Sequence, residues 1–165
     1  MARVDVAIGK LLDYVKVPYV FGKNTIMAHL NSAYYHVHGQ SFVYPNHADA
    51  VELTAAAGAW AITGDIIEII PANTLSLSAF DLHWAYVTAI SANSEIQIDV
   101  FMGAEGEEEQ IDFVCAERTT VTEPGSPQPM QVGKLPKNTR ISARLSSGVV
   151  GATTCNFKVK GHYYA

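Results

Sequence analysis

The stretch that decides the fold is Phe80-Asp81-Leu82-His83-Trp84-Ala85-Tyr86-Val87-Thr88-Ala89-Ile90. Taking every second residue puts Phe80, Leu82, Trp84, Tyr86, Thr88 and Ile90 on one face and Asp81, His83, Ala85, Val87 and Ala89 on the other. Alternation at period 2 signals a β-strand, because successive side chains point to opposite faces. The turn formers Ser91-Ala92-Asn93-Ser94 follow. Alternation then resumes, with Ile96, Ile98, Val100 and Met102 facing one way and Glu95, Gln97 and Asp99 the other. Two such runs joined by a short polar loop predict a long β-hairpin. Its Phe80, Leu82, Trp84, Tyr86 face is expected to line a packed interior.

Working outward, strand signals recur. Gly58–Thr63 and Ile66–Ile70 precede the hairpin, separated by Gly64-Asp65. An acidic turn, Gly103 to Glu109, leads into Gln110–Arg118, where Ile111, Phe113 and Cys115 alternate as expected inward positions. Thr119–Gly133 holds Pro124, Gly125, Pro127 and Pro129 and is expected to be a loop crossing between sheets. Thr139–Leu145 places Ile141, Ala143 and Leu145 inward. Thr154–Tyr164 does the same with Cys155, Phe157, Val159, Gly161 and Tyr163. About seven strands punctuated by Gly, Pro and Asn predict an all-β, antiparallel β-sandwich or jelly-roll-like domain. An immunoglobulin-like strand order remains the alternative.

One motif occurs twice. Ile70-Pro71-Ala72-Asn73-Thr74 and Leu135-Pro136-Lys137-Asn138-Thr139 share apolar-Pro-x-Asn-Thr ahead of a strand. Proline pushes the preceding residue towards extended geometry and Asn closes a turn on its own backbone, so equivalent corners are expected at both places.

The first part of the chain differs. Residues 1–50 are read as an interaction arm, extended or partly helical, and 51–165 as the β-sandwich domain. Val4, Ile8, Leu11, Leu12 and Val15 form one helical stripe, which Pro18 ends. From Tyr19 to Asp49 no period is sustained, but aromatics and histidines abound. Tyr19, Phe21, Tyr34, Tyr35, His36, His38, Phe42, Tyr44 and His47 are the candidate subunit or partner contacts. A segment that irregular and that apolar is expected to lie on another surface.

Composition narrows the function. The net charge is −5, without a Lys/Arg cluster, so no nucleic-acid partner is expected. Apolar runs fall short of the ~20 residues that span a bilayer, so no membrane partner is expected. The N-terminus lacks a secretory pattern, which points to synthesis in a cytoplasm. Charged residues make up 16% of the chain, low for a soluble protein and consistent with a surface hidden in an assembly. Cys115 and Cys155 are read as two buried free thiols, with a disulfide as the alternative.

No phosphate-cradling Gly loop, G-x-S-x-G elbow or H-E-x-x-H helix is present. His36 and His38, at i and i+2, could share a metal on a strand, but a cupin-like site would want a carboxylate soon after, and Gln40, Ser41, Phe42 and Val43 stand there. Asp81 and His83 share a face and are read as a hydrogen-bonded structural pair. The expectation is therefore no catalytic residue, no cofactor, no metal and no enzymatic activity.

Framework residues carry a resemblance. Gly58-Ala59-Trp60 through Ile69-Ile70-Pro71-Ala72-Asn73-Thr74, Phe80-Asp81-Leu82-His83-Trp84, Pro136-Lys137-Asn138-Thr139-Arg140-Ile141-Ser142-Ala143 and Lys158-Val159-Lys160-Gly161-His162-Tyr163-Tyr164 resemble small structural proteins of tailed bacteriophages. The resemblance implies a β-sandwich virion protein. An arm joined to a compact sandwich is similar to capsid cement (decoration) proteins, which sit as homotrimers and bridge neighbouring major capsid protein subunits on the capsid surface. A tail, baseplate or host-binding module is the alternative the same residues allow, and a cupin-like metal enzyme the more distant one.

Overall fold

In the computed structural model, residues 40–46, 49–118 and 127–164 are described, and they lie in one compact unit, Gln40–Tyr164. The predicted helical stripe and most of the predicted arm fall outside the described residues.

Among the described residues nine strands form: β1 Ser41–Tyr44, β2 Val51–Thr54, β3 Ile67–Ile70, β4 Phe80–Thr88, β5 Glu95–Met102, β6 Glu109–Glu117, β7 Pro127–Leu135, β8 Ile141–Ser147 and β9 Thr154–Tyr163. They make two antiparallel sheets. One runs β1-β9-β4-β7, with β2 also paired to β9; the other runs β3-β8-β5-β6. β1 and β2 lie end to end along the same edge of β9, at Val159 to His162 and Thr154 to Phe157 respectively. Counted as one interrupted strand, they leave eight strands in the order of a jelly roll. That order decides between the two sandwich types left open by the sequence.

The core follows the predicted alternation where strands run without irregularity. Ile96, Ile98 and Val100 on β5 lie beside Ile141, Ala143 and Leu145 on β8 in one sheet, and Cys155, Phe157 and Val159 on β9 are the inward residues of the other, all buried. The outer face of β5 is covered too: Asp99 is buried against Arg144 (2.9 Å) and accepts from Gln97 (2.7 Å), while Arg144 also lies over the Phe101 ring.

Where a bulge enters, alternation fails. β4 has one residue more than β9 between Leu82 and Trp84, since Leu82 pairs with Gly161 and Trp84 with Lys160. An inserted residue reverses the facing of all that follows. Phe80 and Leu82 are buried as expected, but beyond the bulge Ala85 and Val87 are the buried residues. Trp84 is 39% exposed and Tyr86 only half-buried, which corrects their expected place in the interior. β6 repeats this. Between Val100↔Asp112 and Phe101↔Gln110 its Ile111 is the extra residue, so Val114 is buried, while Phe113 is 55% exposed and Cys115 lies at the surface. Both cysteines are free thiols, but Cys155 alone is buried.

Four further expectations change. The predicted hairpin does not form: β4 pairs with β9 and β7 in one sheet and β5 with β8 and β6 in the other, so Ser91-Ala92-Asn93-Ser94 crosses between sheets. Gly58–Thr63 forms turns rather than a strand, with Trp60 in the left-handed region (φ 55°). Pro127–Gly133, read as loop, belongs to β7, which lies at a sheet edge where proline's missing N–H costs no ladder bond. Ser41–Tyr44, read as arm, is a strand of the sandwich; at four residues it is too short to show a period.

Candidate functional site

The site is built on the β4 bulge. Opposite it stands Gly161, and a Cβ there would meet the Asp81 carbonyl oxygen at 1.8 Å and Phe42 at 2.7 Å. Glycine lets β4 press against β9 at this point. His83 is the extra residue of the bulge, and its Nε2 stands 2.8 Å from the Asp81 carboxylate. Phe42 closes the inner side by packing against Phe80 (5.9 Å between ring centroids) and Tyr163 (4.9 Å).

On the outer side three polar side chains converge. Asp81 and His162 are directly opposed across the β4–β9 ladder. Asp81 Oδ1 accepts the His162 backbone N–H at 3.0 Å, with His83 Nε2 2.8 Å and His162 Nδ1 3.7 Å from the same oxygen. The two imidazole rings are tilted against each other, 4.6 Å between centroids. The Asp81 side chain is 2% exposed, whereas those of His83 and His162 are 30% and 26% exposed, so a buried carboxylate is reached from solvent past two imidazoles.

Tyr164 completes the surround. Burial, and then a hydrogen bond to the Asp81 carboxylate and its charge, push the Tyr164 phenol up to about 12. It therefore stays a neutral donor at any physiological pH. Lys134 Nζ sits 4.8 Å over its ring. Asp81, His83 and His162 each offer one ligand atom, all within 4.8 Å of one another, and are the group that could hold a metal ion among the described residues.

Sequence reasoning paired Asp81 with His83 and the geometry agrees. It did not connect them to His162, 81 residues away. The available signal was Gly161-His162 on a strand opposite an Asp-x-His. Of the predicted contact residues, Phe42 and Tyr44 are half-buried on β1 and pack against the core. Tyr19, Phe21, Tyr34, Tyr35, His36, His38 and His47 lie outside the described residues.

No protein-family model matches the chain, and no curated protein matches it. Solved structures similar in chain trace include the Eiger TNF from S. frugiperda, at 11% identity and TM-score 0.41, covering 77% of this chain and 93% of that one. Another is infectious bursal disease virus, Gt strain, at 10% identity and TM-score 0.41, covering 76% of this chain and 32% of that one.

Proposed function

We propose that this chain is a non-enzymatic structural protein of a virus particle, a cement or decoration protein that binds the major capsid protein of a tailed bacteriophage as a homotrimer. The observation that carries the reading is a jelly-roll strand order with an apolar interior. The fold serves viral capsid and lectin domains and cupins alike. Here Phe80, Leu82, Val100, Ile141, Leu145 and Phe157 fill the space between the sheets.

The surface supports the same reading. Trp84 and Phe113 are large apolar groups left at the surface by the two bulges, the kind of side chain that anchors interfaces. The aromatic and histidine-rich segment before the sandwich supplies further contacts, Tyr and Phe covering much area with little rotamer entropy to lose. Threefold placement raises effective concentration at each site, and binding to the assembled shell alone stabilises it by mass action.

Particles assembled without this protein and then incubated with the purified full chain test the proposal. They are expected to take it up in a fixed ratio to the major capsid protein and to withstand higher temperature. Shells that bind none would contradict it, and uptake confined to tails would favour a tail or host-binding module.

A further inference from the structure

We propose that Asp81, His83 and His162 form a binding site for one divalent first-row transition metal ion, of the Zn2+ class, which staples β4 to β9 on the outer face of the sheet. Nothing in this inference depends on the particle role, and either can fail alone.

The donor set comes first. Two imidazoles and a carboxylate, without thiolate, suit the borderline ions that favour nitrogen, and not Ca2+ or Mg2+, which take oxygen donors. Spacing comes second. With metal–ligand bonds of about 2.0–2.2 Å and ligand angles between octahedral and tetrahedral, neighbouring donor atoms lie about 2.8–3.6 Å apart. His83 Nε2 and His162 Nδ1 stand 2.8 and 3.7 Å from Asp81 Oδ1, at the lower end of that range and just beyond its upper end. All three donors lie within 4.8 Å of one another. Small rotations of two part-exposed histidines close the remainder.

The frame is third. Asp81 and His162 are a directly opposed pair on neighbouring strands, and His83 is the bulge residue two places along β4 from Asp81, so the donors ride on strands and not on loops. The carboxylate is oriented by the His162 backbone N–H at 3.0 Å and by the Tyr164 phenol, as ligating carboxylates are in metal sites. Solvent reaches both histidines, which gives the ion a path in and leaves water to fill the remaining coordination positions.

The test uses the full chain stripped with chelator and titrated with Zn2+ by calorimetry, with Co2+ absorption reporting the ligand field. One ion per chain is expected, with a rise in melting temperature on loading. His83→Ala and His162→Ala, each checked for native circular dichroism, are expected to weaken binding by at least about tenfold, since losing even an outer-shell partner of a ligand costs that much. The double variant His36→Ala/His38→Ala removes the other closely spaced histidine pair and is expected to bind as the parent does. A stripped chain that takes up no Zn2+ or Co2+ would overturn the site. So would folded His83→Ala and His162→Ala variants that bind as tightly as the parent, or binding lost in the His36/His38 variant instead.

Discussion

Asn73 donates its backbone N–H to the backbone carbonyl of Asn138 at 3.3 Å, and both residues hold left-handed backbone, at φ 66° and 67°. The two Pro-x-Asn-Thr corners therefore meet. Asn138 N–H returns a bond to the Leu75 carbonyl (2.9 Å), and each corner closes on its own proline carbonyl, through Thr74 N–H (3.2 Å) and Thr139 Oγ1 (2.7 Å). Left-handed backbone costs an ordinary residue about 1–2 kcal/mol, which Asn and Gly largely avoid. Asn73→Ala and Asn138→Ala are each expected to lose about 1 kcal/mol in urea denaturation, with Asn→Gly near neutral. Because the corners touch, the two Ala changes together are expected to depart from additivity.

Gly161 has no room for a side chain, with the Asp81 carbonyl oxygen 1.8 Å from where a Cβ would stand. Gly161→Ala is expected to destabilise by more than about 3 kcal/mol, since backbone must move. Gly133→Ala is the internal comparison. Its Cβ meets nothing within 4 Å, so a change within about 0.5 kcal/mol is expected. Equal effects from the two substitutions, measured by denaturant midpoint, would contradict the tight β4–β9 approach.

Arg144 holds the buried Asp99 carboxylate at 2.9 Å on the outer face of β5 and β8. Removing one partner leaves a buried charge uncompensated, so Arg144→Ala is expected to cost about 2–4 kcal/mol at neutral pH. Adding Asp99→Asn to Arg144→Ala is expected to recover part of that loss. Thermal melts of the two single variants and the double variant check it.

The thiols separate by exposure. Burial, with a smaller contribution from Glu52, pushes Cys155 from an ordinary 9.0 up to about 12, whereas Cys115 is exposed. Native protein is expected to react with one equivalent of a thiol reagent, at Cys115, and denatured protein with two. A raised folded-state value means that the neutral thiol's contribution to stability is complete below about 9 and is lost as pH rises towards about 12. Tyr164 adds a loss between its ordinary 10.0 and about 12. Stability is therefore expected to fall with pH above about 9, and less steeply in Cys155→Ala. A flat alkaline profile would contradict both placements.

The sandwich could be read from the strands that run without interruption. Ile96 to Val100, Ile141 to Leu145 and Cys155 to Val159 keep period 2 and are buried as that period demands. Trp84 and Phe113 were misplaced because each follows an inserted residue, and nothing in an alternating pattern announces where one pair of strands takes an extra step. β7 was hidden by Pro127 and Pro129, whose usual meaning reverses at a sheet edge. At the site, Asp81 and His83 are close in sequence and were paired. His162 reaches them through strand register, a relationship that exists only once β9 lies against β4.

The central claim is a place on a particle, and imaging tests it most directly. Intact phage particles carrying the tagged full chain should show it on the outer surface of the head, at threefold positions between major capsid subunits. Label found on the tail alone, or absent from purified particles, would contradict the account.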